Sequence, residues 1–160
     1  MRYLGILLLV FSAFWVYKKY ASYLAFSIEE CEGYTQLTEQ LYGKVSCYLS
    51  PQNEVIMNFE CPALERCGFL PEVRRRRSAR DAFLAVMGNS QMPKDAKEAV
   101  KSLFLGLGKG YLDSEIKAME LCLEKLRKIT EREKGELEAR RRVAGALTFA
   151  AAAGLALLFI

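Results

Sequence analysis

Every charged side chain of this chain except Arg2 lies between Lys18 and Arg142, which leaves an apolar run at each end. No other feature constrains the fold as much. An ordinary water-soluble globule intersperses charge along its length, and this chain does not. The overall figures of 52% hydrophobic and 26% charged residues conceal the separation. The sequence also lacks histidine. That excludes Ser-His-Asp and Cys-His catalytic machinery and zinc sites with histidine ligands. The chain is expected to be a small membrane-attached protein and not an enzyme.

The first run, Tyr3–Tyr17 (YLGILLLVFSAFWVY), has about 15 residues and would be roughly 22 Å long as a helix, against a hydrocarbon core of about 30 Å. It spans if Lys18 and Lys19 snorkel and the bilayer thins slightly. Trp15, Tyr17 and Tyr20 sit at the lysine-rich end, as an interfacial belt would. A cleaved signal peptide fits less well. Lys18-Lys19 stands where a cleavage site should begin, and neither Ala21 nor Ala25 completes a small-x-small pattern.

The second run, Val143–Ile160 (VAGALTFAAAAGLALLFI), has about 18 residues, roughly 27 Å as a helix, and is apolar on every face. Ala146, Ala150 and Gly154 recur every fourth residue and form a small-residue ridge for transmembrane packing. Arg140, Arg141 and Arg142 precede this run, so its N-terminal side is expected to be cytoplasmic. Two spans then place both termini outside and the charged middle in the cytoplasm.

The middle reads as helix throughout. Ser27-Ile28-Glu29-Glu30 has the form of a capping box and predicts a helix start at Ser27. Tyr34, Leu37, Leu41, Val45 and Tyr48 follow on one helical face, and Ser50-Pro51 closes that helix. Cys61-Pro62 and Gly68 to Pro71 mark short pieces, and one helix is expected over Glu72–Met87, ended by Gly88-Asn89. Pro93 opens a helix with Ala96, Val100, Phe104 and Leu107 on a stripe. Asp113 is expected to cap the last helix, whose stripe is Ile116, Met119, Leu123, Leu126 and Ile129. Beyond it lies a polar segment with Glu136/Arg140 and Glu138/Arg142 at helical pair spacing.

The expected class is therefore all-α, a cytoplasmic helical bundle between an N-terminal and a C-terminal transmembrane helix. The divisions are residues 1–17 as anchor, 18–129 as bundle, 130–142 as polar juxtamembrane helix and 143–160 as second span.

Little in the middle offers chemistry. The five cysteines Cys31, Cys47, Cys61, Cys67 and Cys122 are odd in number and contain no C-x-x-C, so free packing thiols are expected and no metal. Gly106-Leu107-Gly108-Lys109-Gly110 lacks the spacing and the preceding strand of a phosphate loop and reads as a helix stop. No carboxylate is marked as a buried general acid, so neither catalytic nor cofactor-binding residues are assigned. Arg74, Arg75, Arg76, Arg77 and Arg80 form the one strong charge cluster. It reads either as a solvated helix turn balanced by Glu72 and Asp81, or as a contact for an acidic partner or anionic lipid. Nucleic acid is not expected, because no aromatic platform accompanies the arginines.

The order of parts and the stretches AVKSLFLGLGKG, SEIKAMELCLEKLRKITEREKGELEARRRVAGAL and GLALLFI resemble the stage III sporulation protein AB family. Where that family has an acidic residue soon after a Leu-Gly pair and a Gln one turn later, this chain has Tyr111, Asp113 and Glu115. The resemblance implies a place in the mother-cell membrane facing the forespore, within a sporulation complex. It also implies likeness to the inner-membrane platform proteins of type II secretion and type IV pilus machines. The partners it implies are the complex's cytoplasmic ATPase, stage III sporulation protein AA, and the other membrane components. The expected function is a non-enzymatic assembly platform, the alternative being a membrane-bound helical scaffold or adaptor unrelated to sporulation.

Overall fold

The computed structural model describes the backbone of residues 2–48 and 51–158, and the side chains of residues 18–46 and 51–139 with a few positions nearer the ends. The elements are α1 (Arg2–Tyr48), α2 (Gln52–Met57), α3 (Pro62–Arg66), α4 (Phe69–Arg76), α5 (Ala79–Val86), α6 (Lys94–Gly106) and α7 (Leu112–Leu158). There is no strand among the described residues. The chain is an all-helical bundle.

The apolar stripes predict which faces meet. Tyr34, Leu37, Leu41 and Val45 of α1 are buried, as are Met119, Leu123, Leu126 and Ile129 of α7, while Ile116 is half-buried. Tyr48 lies outside the described side chains. The two helices are antiparallel, and a ladder of polar contacts fixes their register. Tyr42 Oη donates to Glu120 Oε1 at 2.9 Å, Arg127 meets Glu39 at 2.7 Å and Lys134 meets Glu32 at 2.5 Å. These exposed pairs contribute little stability each, so burial holds the rods together while the ladder selects their alignment.

The short helices cover the remaining core. Tyr34 of α1, Phe69 of α4, Phe83 of α5 and Phe104 of α6 form an aromatic cluster, with Phe69 and Phe104 stacked at 5.4 Å and Tyr34 edge-on to Phe83 at 5.7 Å. Gly33 lets α3 approach α1. A Cβ there would lie 3.0 Å from Leu64 Cγ and 3.1 Å from Cys61 Sγ. As expected, Pro51 and Pro93 precede helices and Ala96, Val100 and Phe104 face inward.

Three local expectations are corrected. No helix begins at Ser27, because α1 passes through it without interruption. Ser27 is buried, and Glu30 serves a longer-range purpose: its Oε2 accepts from the Gln91 amide at 2.9 Å. That bond ties the α5–α6 connection to α1. The helix expected over Glu72–Met87 is two helices, α4 and α5. Arg77 takes a left-handed conformation (φ 54°), and Ser78 starts α5 by accepting from the Asp81 amide at 3.3 Å. Replacing Ser78 with alanine should therefore cost about 1 kcal/mol of stability in thermal unfolding. Finally, α7 begins at Leu112, so Asp113 lies within its first turn and is not its cap.

Most side chains of the two apolar runs, including Ala146, Ala150 and Gly154, lie outside the described residues. Among the described residues, no helix is long and apolar enough to cross a membrane.

Candidate functional site

Burial sorts the chemically capable side chains. Cys31, Cys61 and Cys122 are buried and Cys67 is half-buried, all as free thiols, while Cys47 lies outside the described side chains. Burial pushes the Cys31 thiol up to about 12, helped by the neighbouring Glu30, Glu133 and Glu32 carboxylates. It pushes Cys67 and Cys122 up to about 11. Such thiols carry little thiolate near neutrality, so these residues pack and do not attack. Among the described residues, no three Cys, Asp or Glu side chains converge as a metal site.

The glycine-rich turn after α6 is occupied from within. Gly108 adopts φ 75° and its amide donates to Glu115 Oε1 at 2.7 Å, while Gln52 Nε2 donates to Glu115 Oε2. A phosphate would have to displace that carboxylate, so this turn is a lock on the start of α7. Glu115 stands in the stretch where the chain departs from the Leu-Gly pattern, and its role was not readable from spacing. Its burial on an otherwise polar first turn was the missing information.

The arginine cluster lies on the surface where α4 turns into α5. Arg74 pairs with Glu65 at 2.7 Å, and Arg75 and Arg76 both donate to Glu72 Oε2, at 2.8 and 2.6 Å. Hydrogen bonds from Arg75 and then Arg76 hold the Glu72 carboxyl below its usual range. These cations sit at the C-terminal end of α4, where positive charge is favourable to the helix dipole. Arg77 and Arg80 differ. Both are exposed, and neither has a carboxylate partner among the described residues. The structure thus brings the five arginines to one turn, where Glu65 and Glu72 between them offset the charge of two, and only Arg77 and Arg80 lack a carboxylate contact among the described residues. Such a surface attracts an anionic partner over a distance set by salt.

Sequence spacing did not reveal two further features. One is the buried carboxylate of Glu30 described above. The other is an open groove between α6 and α7, with acidic side chains along one wall and basic ones along the other. The acid spacing Asp95/Glu98 and the basic spacing Lys125/Lys128/Arg132 are both helical. Pairing them required knowing that the two helices lie side by side.

Comparison with curated proteins and with solved structures found no match. The family model described as stage III sporulation protein AB matches residues 2–160. The chain belongs to that family.

Proposed function

We propose that this member of the stage III sporulation protein AB family is a non-enzymatic membrane platform that couples a cytoplasmic ATPase to the membrane parts of the sporulation complex. One observation carries the reading. α1 and α7 are each unbroken, and their antiparallel register sends both apolar runs out of the same end of the bundle.

The Glu32–Lys134 pair sets the level of exit. About nine residues beyond it, roughly 14 Å along each rod, α7 reaches Val143 and α1 reaches Tyr23. Tyr20 and Tyr23 are exposed at this level and suit an interfacial belt. Lys18 and Lys19 lie somewhat deeper and would snorkel back. In this reading both runs are transmembrane helices and both termini lie outside. The bundle faces the mother-cell cytoplasm, and Ala146, Ala150 and Gly154 pack against other membrane components. The polar stretch 130–142 is a stiff extension already braced against α1 at Lys134.

The partner of the bundle in this proposal is stage III sporulation protein AA, docked on the turn that carries Arg74 to Arg77 and Arg80. Its test is binding of the full-length chain, held in detergent, to the purified ATPase. Affinity should fall by about tenfold or more as salt rises from low to moderate concentration. The Arg77→Glu/Arg80→Glu variant should weaken it similarly at low salt with melting unchanged. Binding to anionic vesicles, lost in the same variant while ATPase binding persists, would assign the turn to lipid. Unaltered behaviour in both assays would make the arginines a solvated helix surface.

A further inference from the structure

The groove between α6 and α7 has a volume of about 740 Å³ and lies outside the arginine turn. Its floor is apolar, formed by residues such as Leu103 and Cys122, and Leu121 stands up from it with half its surface exposed. Asp95 and Glu98 of α6 make one wall, and Lys125, Lys128 and Arg132 of α7 make the other. Acid and base are level with each other. Arg132 reaches Asp95 at 3.8 Å, and one helical turn further along Glu98 stands opposite Lys128. Yet Arg132 is also drawn to Glu133 at 3.3 Å, and Glu98, Lys125 and Lys128 form no ion pair among the described residues.

A groove with one acidic and one basic wall is complementary to itself under one kind of symmetry. With a two-fold axis parallel to α7, the acidic wall of one copy faces the basic wall of the other, at equal height and twice over. A two-fold axis running across the groove would set acid against acid and base against base. We infer that this face pairs with the same face of a second copy of the chain, Glu98 of each copy meeting Lys128 of the other and Leu121 entering the partner's groove. The parallel axis also leaves the apolar runs of both copies at one end of the pair, as two chains anchored in one bilayer require. The pairing goes beyond the platform reading and does not depend on its ATPase contact.

The test uses two differently tagged full-length copies, co-expressed and isolated in mild detergent at low salt. The parent copies should co-isolate, and moderate salt should separate them. Glu98→Lys in both copies, or Lys128→Glu in both copies, should reduce co-isolation about tenfold or more, because each now opposes like charges. Pairing a Glu98→Lys copy with a Lys128→Glu copy should restore it, since one contact is then reversed in sign and the other is native. A purely internal role for these charges would give no such rescue between chains. Failure of the parent copies to co-isolate, single variants that behave like the parent, or a mixture no better than either variant alone would each overturn the pairing.

Discussion

Replacing Leu123 and Leu126 together with alanine should unfold the bundle at growth temperature. The two are not equivalent. Leu126 is fully inaccessible and belongs to the continuous core between α1 and α7, whereas Leu123 lies at its margin beside Tyr42 and Glu120. Truncating a buried leucine costs about 2–5 kcal/mol, depending on how far the site can collapse. Leu126→Ala is expected in the upper half of that range and Leu123→Ala near its foot. Their sum, about 5–7 kcal/mol, reaches the lower part of the roughly 5–15 kcal/mol that holds a domain together. The buried thiols report the result. In the folded chain Cys122 is shielded and its thiol is pushed up to about 11, so reaction with maleimide is slow. Unfolding both exposes the sulfur and returns its acidity to the ordinary range, so labelling of Cys31 and Cys122 should accelerate many-fold in the double variant. A double variant that labels as slowly as the parent would show that this stripe does not face the core.

Much of this core was legible because its helices are long and strictly periodic. Tyr34, Leu37, Leu41 and Val45 on α1, and Met119, Leu123, Leu126 and Ile129 on α7, all face inward as their spacing predicts. What the spacing hid were side chains whose partners are distant. Ser27 and Glu30 match a local capping pattern, but the residues before them are already helical, and Glu30 instead holds the Gln91 amide from across the bundle. The break between α4 and α5 carries no glycine or proline. Its signal was Ser78 three residues before Asp81, a capping form masked by the arginine run preceding it.

The arginine turn shows the same division. That five cations cluster is plain from the sequence, but how much of their charge is free depends on Glu65 and Glu72. Only a folded α3–α4 pair brings Glu65 to Arg74. Arg77 stands out for its backbone: it is left-handed at the end of α4, where the helix stops, and among the described residues it makes no ion pair with Glu72.

In the proposed platform the bundle hangs from the membrane by two runs that leave it at one end, with its far turn in the cytoplasm. Tyr111 marks that far turn and is 90% exposed, so a cysteine placed there would be open to reagent without unfolding. Cys31, Cys61 and Cys122 are buried, and the parent chain labelled in parallel supplies the background from Cys47 and the half-buried Cys67. The decisive measurement compares labelling of Tyr111→Cys and Ile160→Cys chains by a membrane-impermeant maleimide in sealed right-side-out and inside-out vesicles. Tyr111→Cys should react only in inside-out vesicles and Ile160→Cys only in right-side-out ones, with the chain resisting alkaline extraction. Reaction of Tyr111→Cys in sealed right-side-out vesicles, or release of the chain by alkali, would contradict the proposal.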